Sequence, residues 1–157
     1  MFDELMTELD YPMFIVTAVA GGERAGCLIG FGTQTSIDPP RFLACLSEKN
    51  RTYRVAMRAD ALGVHFVPAD AEDLAELFGG ETGDEVDKFE RVDWHEGPEG
   101  VPIVDACRNR FVGRVLERVD LGDHTGFVLE PVAAEHGTAG AEFTFHRAKR
   151  IEPGHEP

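Results

Sequence analysis

Short apolar runs alternate along this chain with glycine-, proline- and acid-rich punctuation. Residues 13–20 (MFIVTAVA) are apolar and rich in β-branched side chains, and Gly21-Gly22-Glu23-Arg24 supplies a tight reversal, so a β-hairpin is expected. Its return strand, residues 25–36, carries Gly26, Gly30 and Gly32 where strands ordinarily place bulky side chains. Glycine inside a strand marks a bulge or the close approach of another backbone or a ligand. Asp38-Pro39-Pro40 stops it, because proline donates no ladder hydrogen bond and restricts the residue before it. Further strands are expected over residues 41–46, 61–67 (ALGVHFV), 101–120 and 124–134, with Leu121-Gly122-Asp123 as the turn between the last two, and Phe143-Thr144-Phe145 reads as a final strand.

Helical signals are fewer. Residues 2–8 place Phe2, Leu5 and Met6 on one face of a short helix. A second helix opens at Ser47-Glu48-Lys49-Asn50, with Ser47 or Asn50 as its cap, and runs to Arg58. The third, DAEDLAELFGG, has Asp70 at the cap, acid in the first turn and a double glycine at the end. Residues 80–100 read as a polar covering loop with one helical turn, anchored by Val86, Phe89, Val92 and Trp94, and the chain closes on a polar tail, IEPGHEP. Strands dominate, so the layer rules favour a mainly β fold: an antiparallel barrel, closed or half-open, with short helices plugging its ends. A doubly wound α/β fold needs regular strand-helix alternation and a glycine-rich strand-to-helix turn, which this sequence lacks.

At 157 residues the chain is the size of one domain, with 43% hydrophobic and 28% charged residues, as in soluble globular proteins. A net charge of −14 argues against nucleic acid or anionic lipid as partner, since each phosphate meets repulsion first. It leaves room for a small anionic cofactor at a local cluster of donors, because screening removes distant charges. No apolar run approaches the roughly 20 residues of a membrane span, and the N-terminus is acidic where a secretory signal is basic, so a cytoplasmic protein is expected. Cys27, Cys45 and Cys107 share no CxxC spacing and read as reduced core thiols. No histidine pair has metal-ligand spacing, and no GxSxG or comparable nucleophile signature is present.

Two segments carry candidate chemistry. Thr33, Gln34, Thr35 and Ser36 place small donors after a glycine-loosened stretch; the same residues equally suit an edge strand facing water. Ser47, Lys49, Asn50, Arg51 and Thr52 gather hydroxyls, an amide and two cations at a helix start, which suits either a phosphate cradle or an ordinary cap.

GCLIGFGTQTSIDPP (residues 26–40), FLACLSEKNRTY with Asn50 and Thr52 at the places of a Ser-x-Thr pair, Lys88-Phe89 and Gly122-Asp123-His124 occur in an order that resembles the flavin-reductase-like family of FMN-binding split barrels. The resemblance spans residues 11–134 and implies a single antiparallel split β-barrel domain with short flanking helices. It further implies a homodimer with flavin near its interface, FMN (or FAD) as cofactor and NAD(P)H as electron donor, with transfer to free flavin or a partner monooxygenase. On this resemblance Gly30, Thr33, Gln34, Thr35 and Ser36 face the flavin ring, Ser47 to Thr52 cradle its phosphate, and Lys88 and Phe89 close over it. His124, at a hairpin tip, then orients the nicotinamide; a turn histidine held by Asp123 is the plain alternative. Gly30 stands where many members have asparagine and Gln34 where serine is common, which leaves open a deazaflavin or haem split barrel, or a flavin-binding module without catalysis.

Overall fold

The computed structural model describes residues 1–80, 87–137 and 140–151; Val86 and the tail after Ile151 lie outside them. In chain order the elements are α1 (Phe2–Thr7), β1 (Phe14–Ala20), β2 (Glu23–Ile29), β3 (Gly32–Ser36), β4 (Arg41–Ser47), α2 (Arg51–Ala56), β5 (Ala61–Phe66), α3 (Glu72–Gly80), β6 (Trp94–Glu96), β7 (Pro102–Val104), β8 (Arg110–Asp120), β9 (His124–Glu135) and α4 (Phe145–Ala148). Seven strands make one antiparallel sheet in the order β2-β1-β5-β8-β9-β4-β3, and β6 pairs with β7 beside it.

The expected return strand is two strands. β2 and β3 follow each other in the chain yet sit at opposite ends of the sheet order, so Gly30 and Phe31 carry the backbone from one edge to the other and curl the sheet into a barrel. Among the described residues no ladder joins β2 to β4, which leaves the barrel split along that seam. Phe31 C=O still accepts from Cys45 N–H at 2.9 Å, pinning the crossing to β4.

β1 is apolar apart from Thr17 because both of its faces are buried over residues 14–18. Phe14, Val16 and Ala18 point into the barrel with Leu62, Val64, Phe127 and Leu129, and Val55 and Ala56 of α2 plug the same core. Met13 and Ile15 face a second core made with Val67, Ala75, Phe78, Phe89, Cys107 and Phe143. Each large side chain buried in this way contributes on the order of 1.5–3 kcal/mol. All three cysteines are buried and unbridged, and burial pushes the Cys107 thiol up to about 12.

Other expectations shift in detail. The run 101–120 is broken into β7 and β8 by residues 105–109, where Cys107 turns into the second core and Asn109 Oδ1 accepts from Gly137 N–H at 2.6 Å. Residues 143–145 form no strand: bridging stops at Pro12↔Thr144 and Pro68↔Glu142, because neither proline has an N–H to extend a ladder, and the chain turns into α4. α1 forms, but Phe2, Leu5 and Met6 stay exposed rather than packing on the barrel. The helical turn of the covering loop is a 3-10 turn over Lys88–Glu90, capped by the Asp87 carboxylate, which accepts from Phe89 N–H at 3.0 Å.

Two buried polar side chains hold the layers together. Lys88 Nζ donates to Gly26 C=O in β2 and to Phe78 C=O near the end of α3, both at 3.0 Å. His65 Nδ1–H donates to Ile15 C=O at 2.9 Å, which leaves Nε2 to accept from Val104 N–H at 3.1 Å. A proton on Nε2 would set donor against donor, and burial accordingly drives the ring's pKa from 6.5 down to about 4.

The folded His65 thus binds its proton less readily than the unfolded chain does. Its contribution is complete above about pH 6.5, is lost as pH falls toward 4, and amounts to roughly 3 kcal/mol. Urea unfolding of the native protein is expected to show this decline between pH 7 and 4. His65→Asn, less stable at pH 7, is expected to decline less steeply; parallel pH profiles would contradict the assignment. Lys88→Met, which strands two buried carbonyls, is expected to lower the unfolding free energy by about 2 kcal/mol, and an unchanged urea midpoint would argue against the cross-tie.

Candidate functional site

The seam between β2 and β4 opens into a groove of about 420 Å3, within the usual range for small-molecule sites. One wall is Leu28 and Ile29 at the end of β2 with Gly30 and Phe31 of the crossing. The facing wall is Cys45 and Ser47 of β4, Asn50 at the cap of α2, and His124 at the start of β9. Tyr11, Met13, Phe145, Ala148, Lys149 and Ile151 line it from the two ends of the chain, and Gly79 from the end of α3.

Register explains much of this placement. Ser47 and His124 are direct partners in the β4–β9 ladder, so their side chains leave the sheet side by side. Glu48 N–H donates to Asp123 C=O at 3.0 Å and fixes the hairpin tip against the turn that follows β4. His124 Nδ1–H donates to the Asp123 carboxylate at 2.7 Å, and this bond holds the Asp123 carboxyl below its usual range. Nε2 is then the ring atom left to meet a ligand, and the Phe31 ring lies 5.0 Å from the imidazole, tilted by 45°.

Asn50 works as a cap. Its Oδ1 accepts from Thr52 N–H at 2.8 Å, and its amide and the Thr52 hydroxyl both reach the Cys27 thiol. Asn50 N–H donates to Ser47 C=O at 3.0 Å and Lys49 N–H reaches Ser47 Oγ at 3.4 Å. The amides that the sequence suggested were open at this helix start are therefore mostly engaged inside the protein.

The strand glycines make room for the protein's own side chains. A Cβ on Gly26 would stand 2.7 Å from the Phe78 ring, one on Gly30 would stand 2.8 Å from the Tyr11 ring and 3.1 Å from Met13 Sδ, and one on Gly32 would touch Phe14 and Phe42 at 3.3 Å. Tyr11 in turn stacks on Phe145, with centroids 4.8 Å apart and planes 12° from parallel. Tyr11 thus fills the space that a larger residue at position 30 would claim.

Of the residues singled out from sequence, Gly30, Ser47, Asn50 and His124 come together on this groove. Thr33, Gln34, Thr35 and Ser36 do not: β3 is the sheet's edge, Thr33 Oγ donates to Gln34 C=O at 3.3 Å, and Gln34 Nε2 donates to Ser36 C=O at 3.1 Å. Lys49 lies off the lining, and Thr52 is buried under the turn. Arg51 is drawn the other way, to the Glu23 carboxylate at 2.8 Å and Arg24 C=O at 2.9 Å. Lys88 and Phe89 are inside the second core, where Phe89 packs edge-on against Phe78 and Trp94, rather than over the groove. Sequence reasoning missed Tyr11, Met13, Phe145 and Lys149. The one available signal was HRAKR at residues 146–150, the densest run of cations in an acidic chain.

Residues 6–152 match the sequence profile of the flavin reductase like domain. A ferric-chelate reductase (NAD(P)H) of Archaeoglobus fulgidus is 28% identical over 134 residues, which cover 84% of this chain and 79% of that protein. An FMN reductase (NADH), RutF, of Ancylobacter novellus is 28% identical over 149 residues, covering 95% of this chain and 81% of its own. Among solved structures, an FMN-binding protein of Thermus thermophilus with bound 1-cyclohex-2-enone superposes with a TM-score of 0.76 at 28% identity, over 80% of this chain and 70% of that one. The profile runs through every strand of the barrel and across its seam, and the chain belongs to the flavin reductase like domain family.

Proposed function

We propose that this protein is an NAD(P)H-dependent flavin reductase that binds FMN in the groove at the barrel seam and passes electrons to free flavin or to a partner monooxygenase. The observation that carries the proposal is the convergence of Gly30 and Phe31, Ser47 and Asn50, and His124 on one mostly apolar groove of about 420 Å3. Such a lining suits a flat heteroaromatic molecule with a few polar edges. The names of the relatives, ferric-chelate reductase (NAD(P)H), FMN reductase (NADH) and FMN-binding protein, point to the same chemistry.

FMN held in the groove would supply the redox chemistry, as hydride acceptor from reduced nicotinamide and two-electron donor to the final acceptor. The chain's part is to bind and orient. Ile29, Phe31 and Cys45 give apolar surface that excludes water, while Ser47 Oγ and the backbone at Gly30 offer polar contacts. His124, its Nδ1–H committed to Asp123, presents Nε2 as an acceptor for the carboxamide of an incoming nicotinamide.

The working unit we propose is a homodimer meeting on the β3 side. Support comes from the unpaired β3 edge and from the exposed Phe31, Ile37 and Leu121. A second copy there brings the donors of Thr33 to Ser36 into an enclosed setting.

Anaerobic addition of NADH or NADPH to the protein with FMN is expected to bleach the visible absorption of the oxidised flavin; no bleaching with either nucleotide would sink the proposal. His124→Ala is expected to raise the NADH KM by about tenfold while FMN affinity stays within about twofold, and unchanged kinetics would remove His124 from the mechanism. Ile37→Asp is expected to shift the sedimentation coefficient from dimer to monomer; a native protein that sediments as a monomer would contradict the dimer.

A further inference from the structure

We infer that Lys149, on the wall contributed by the C-terminal segment, is the groove's phosphate-recognising cation, so that it selects a phosphate-bearing nucleotide over the same ring without phosphate; this rests on the function proposed above. A chain of net charge −14 repels an anion at long range, and only charges within a Debye length of about 8 Å offset that at the site. Among the described residues lining the groove, Lys149 is the one lysine, arginine or carboxylate. Two other cations near the flavin segments are engaged elsewhere, Arg51 on Glu23 and Arg24 C=O and Lys88 on two buried carbonyls, and Lys49 lies off the lining. The amides of Glu48, Asn50 and Thr52 also have acceptors within the protein.

Lys149 is held where it can act. Phe145 N–H donates to Tyr11 C=O at 2.9 Å, His146 N–H donates to the Asp10 carboxylate at 3.0 Å, and Ala148 is buried, so α4 is fixed to the chain's other end. The Lys149 ammonium leans over the Phe145 ring at 5.9 Å, and no carboxylate among the described residues pairs with it. Its neighbour Arg147 is turned away, to Ala69 C=O, Glu72 and the Phe143 ring. An exposed lysine beside an aromatic ledge, at one end of an otherwise uncharged groove, fits a phosphate ester whose ring lies along the apolar wall.

Two phosphates have this chemistry, the monophosphate of FMN and the pyrophosphate of the nicotinamide dinucleotide, and the test separates them. Fluorescence quenching gives affinities for FMN and riboflavin, and steady-state kinetics give the NADH KM, in native protein, Lys149→Ala and Lys149→Arg. If the lysine meets the flavin phosphate, Lys149→Ala weakens FMN by about fivefold and leaves riboflavin unchanged, and Lys149→Arg restores FMN. If it meets the dinucleotide, the NADH KM rises by a similar factor while both flavins bind as before. Equal loss of FMN and riboflavin overturns the inference, as does no change in any of the three. Inorganic pyrophosphate, followed by the NMR shifts of the Ala148 and Ile151 methyl groups, reads Lys149 without flavin. Native protein that binds neither flavin then fails the functional proposal alone, whereas pyrophosphate shifts that survive Lys149→Ala overturn the lysine's role.

Discussion

The passage of the backbone through Gly30 and Phe31 sets the rest of the molecule. Because β2 ends one edge of the sheet and β3 begins the other, these two residues close the barrel covalently while no ladder among the described residues seals it. A sheet of seven strands with its natural twist is brought round on itself, and the unpaired seam is left as a groove instead of a continuous wall. The hydrogen bond from Cys45 N–H to Phe31 C=O keeps that seam from opening further. Whatever binds in the groove meets the crossing on one side and the ends of β4 and β9 on the other.

Packing of aromatic rings explains why the crossing can take this path. Gly26, Gly30 and Gly32 stand opposite Phe78, Tyr11, and the Phe14 and Phe42 pair, respectively. Three positions without side chains thus let rings from α3, the N-terminal segment and the barrel core approach the same stretch of backbone. The Tyr11–Phe145 stack then ties the first strand's approach to the last helix, and the groove gains a wall from residues more than a hundred positions apart in the sequence.

Local signals were legible in the sequence. The apolar run of β1, the Gly21-Gly22 reversal, the Asn50 cap and the acid-rich start of α3 each rest on neighbours within a few residues, and each element formed close to where its pattern indicated. The division of the return strand was not legible, because the split at Gly30 follows from closing a seven-stranded barrel and has no local mark beyond the glycine. Likewise Phe143-Thr144-Phe145 alternates like a strand, but the prolines it meets at positions 12 and 68 cannot extend a ladder. Ser47 and His124 meet on the groove because motif and register coincide there, while Lys88 and Arg51 point elsewhere, since sequence shows a charge but not its partner. Buried carbonyls of Gly26 and Phe78 claimed one, and Glu23 claimed the other.

That flavin lies in the seam is the claim on which the functional account stands, and an FMN titration followed by methyl NMR tests it most directly. The account predicts that the methyl signals of Met13, Leu28, Ile29 and Ile151 shift on FMN addition, while those of Val67 and Ala141, beside the separate hollow between Pro68 and Glu142, stay in place. Shifts centred on Val67 and Ala141, with the seam methyls unmoved, would contradict it.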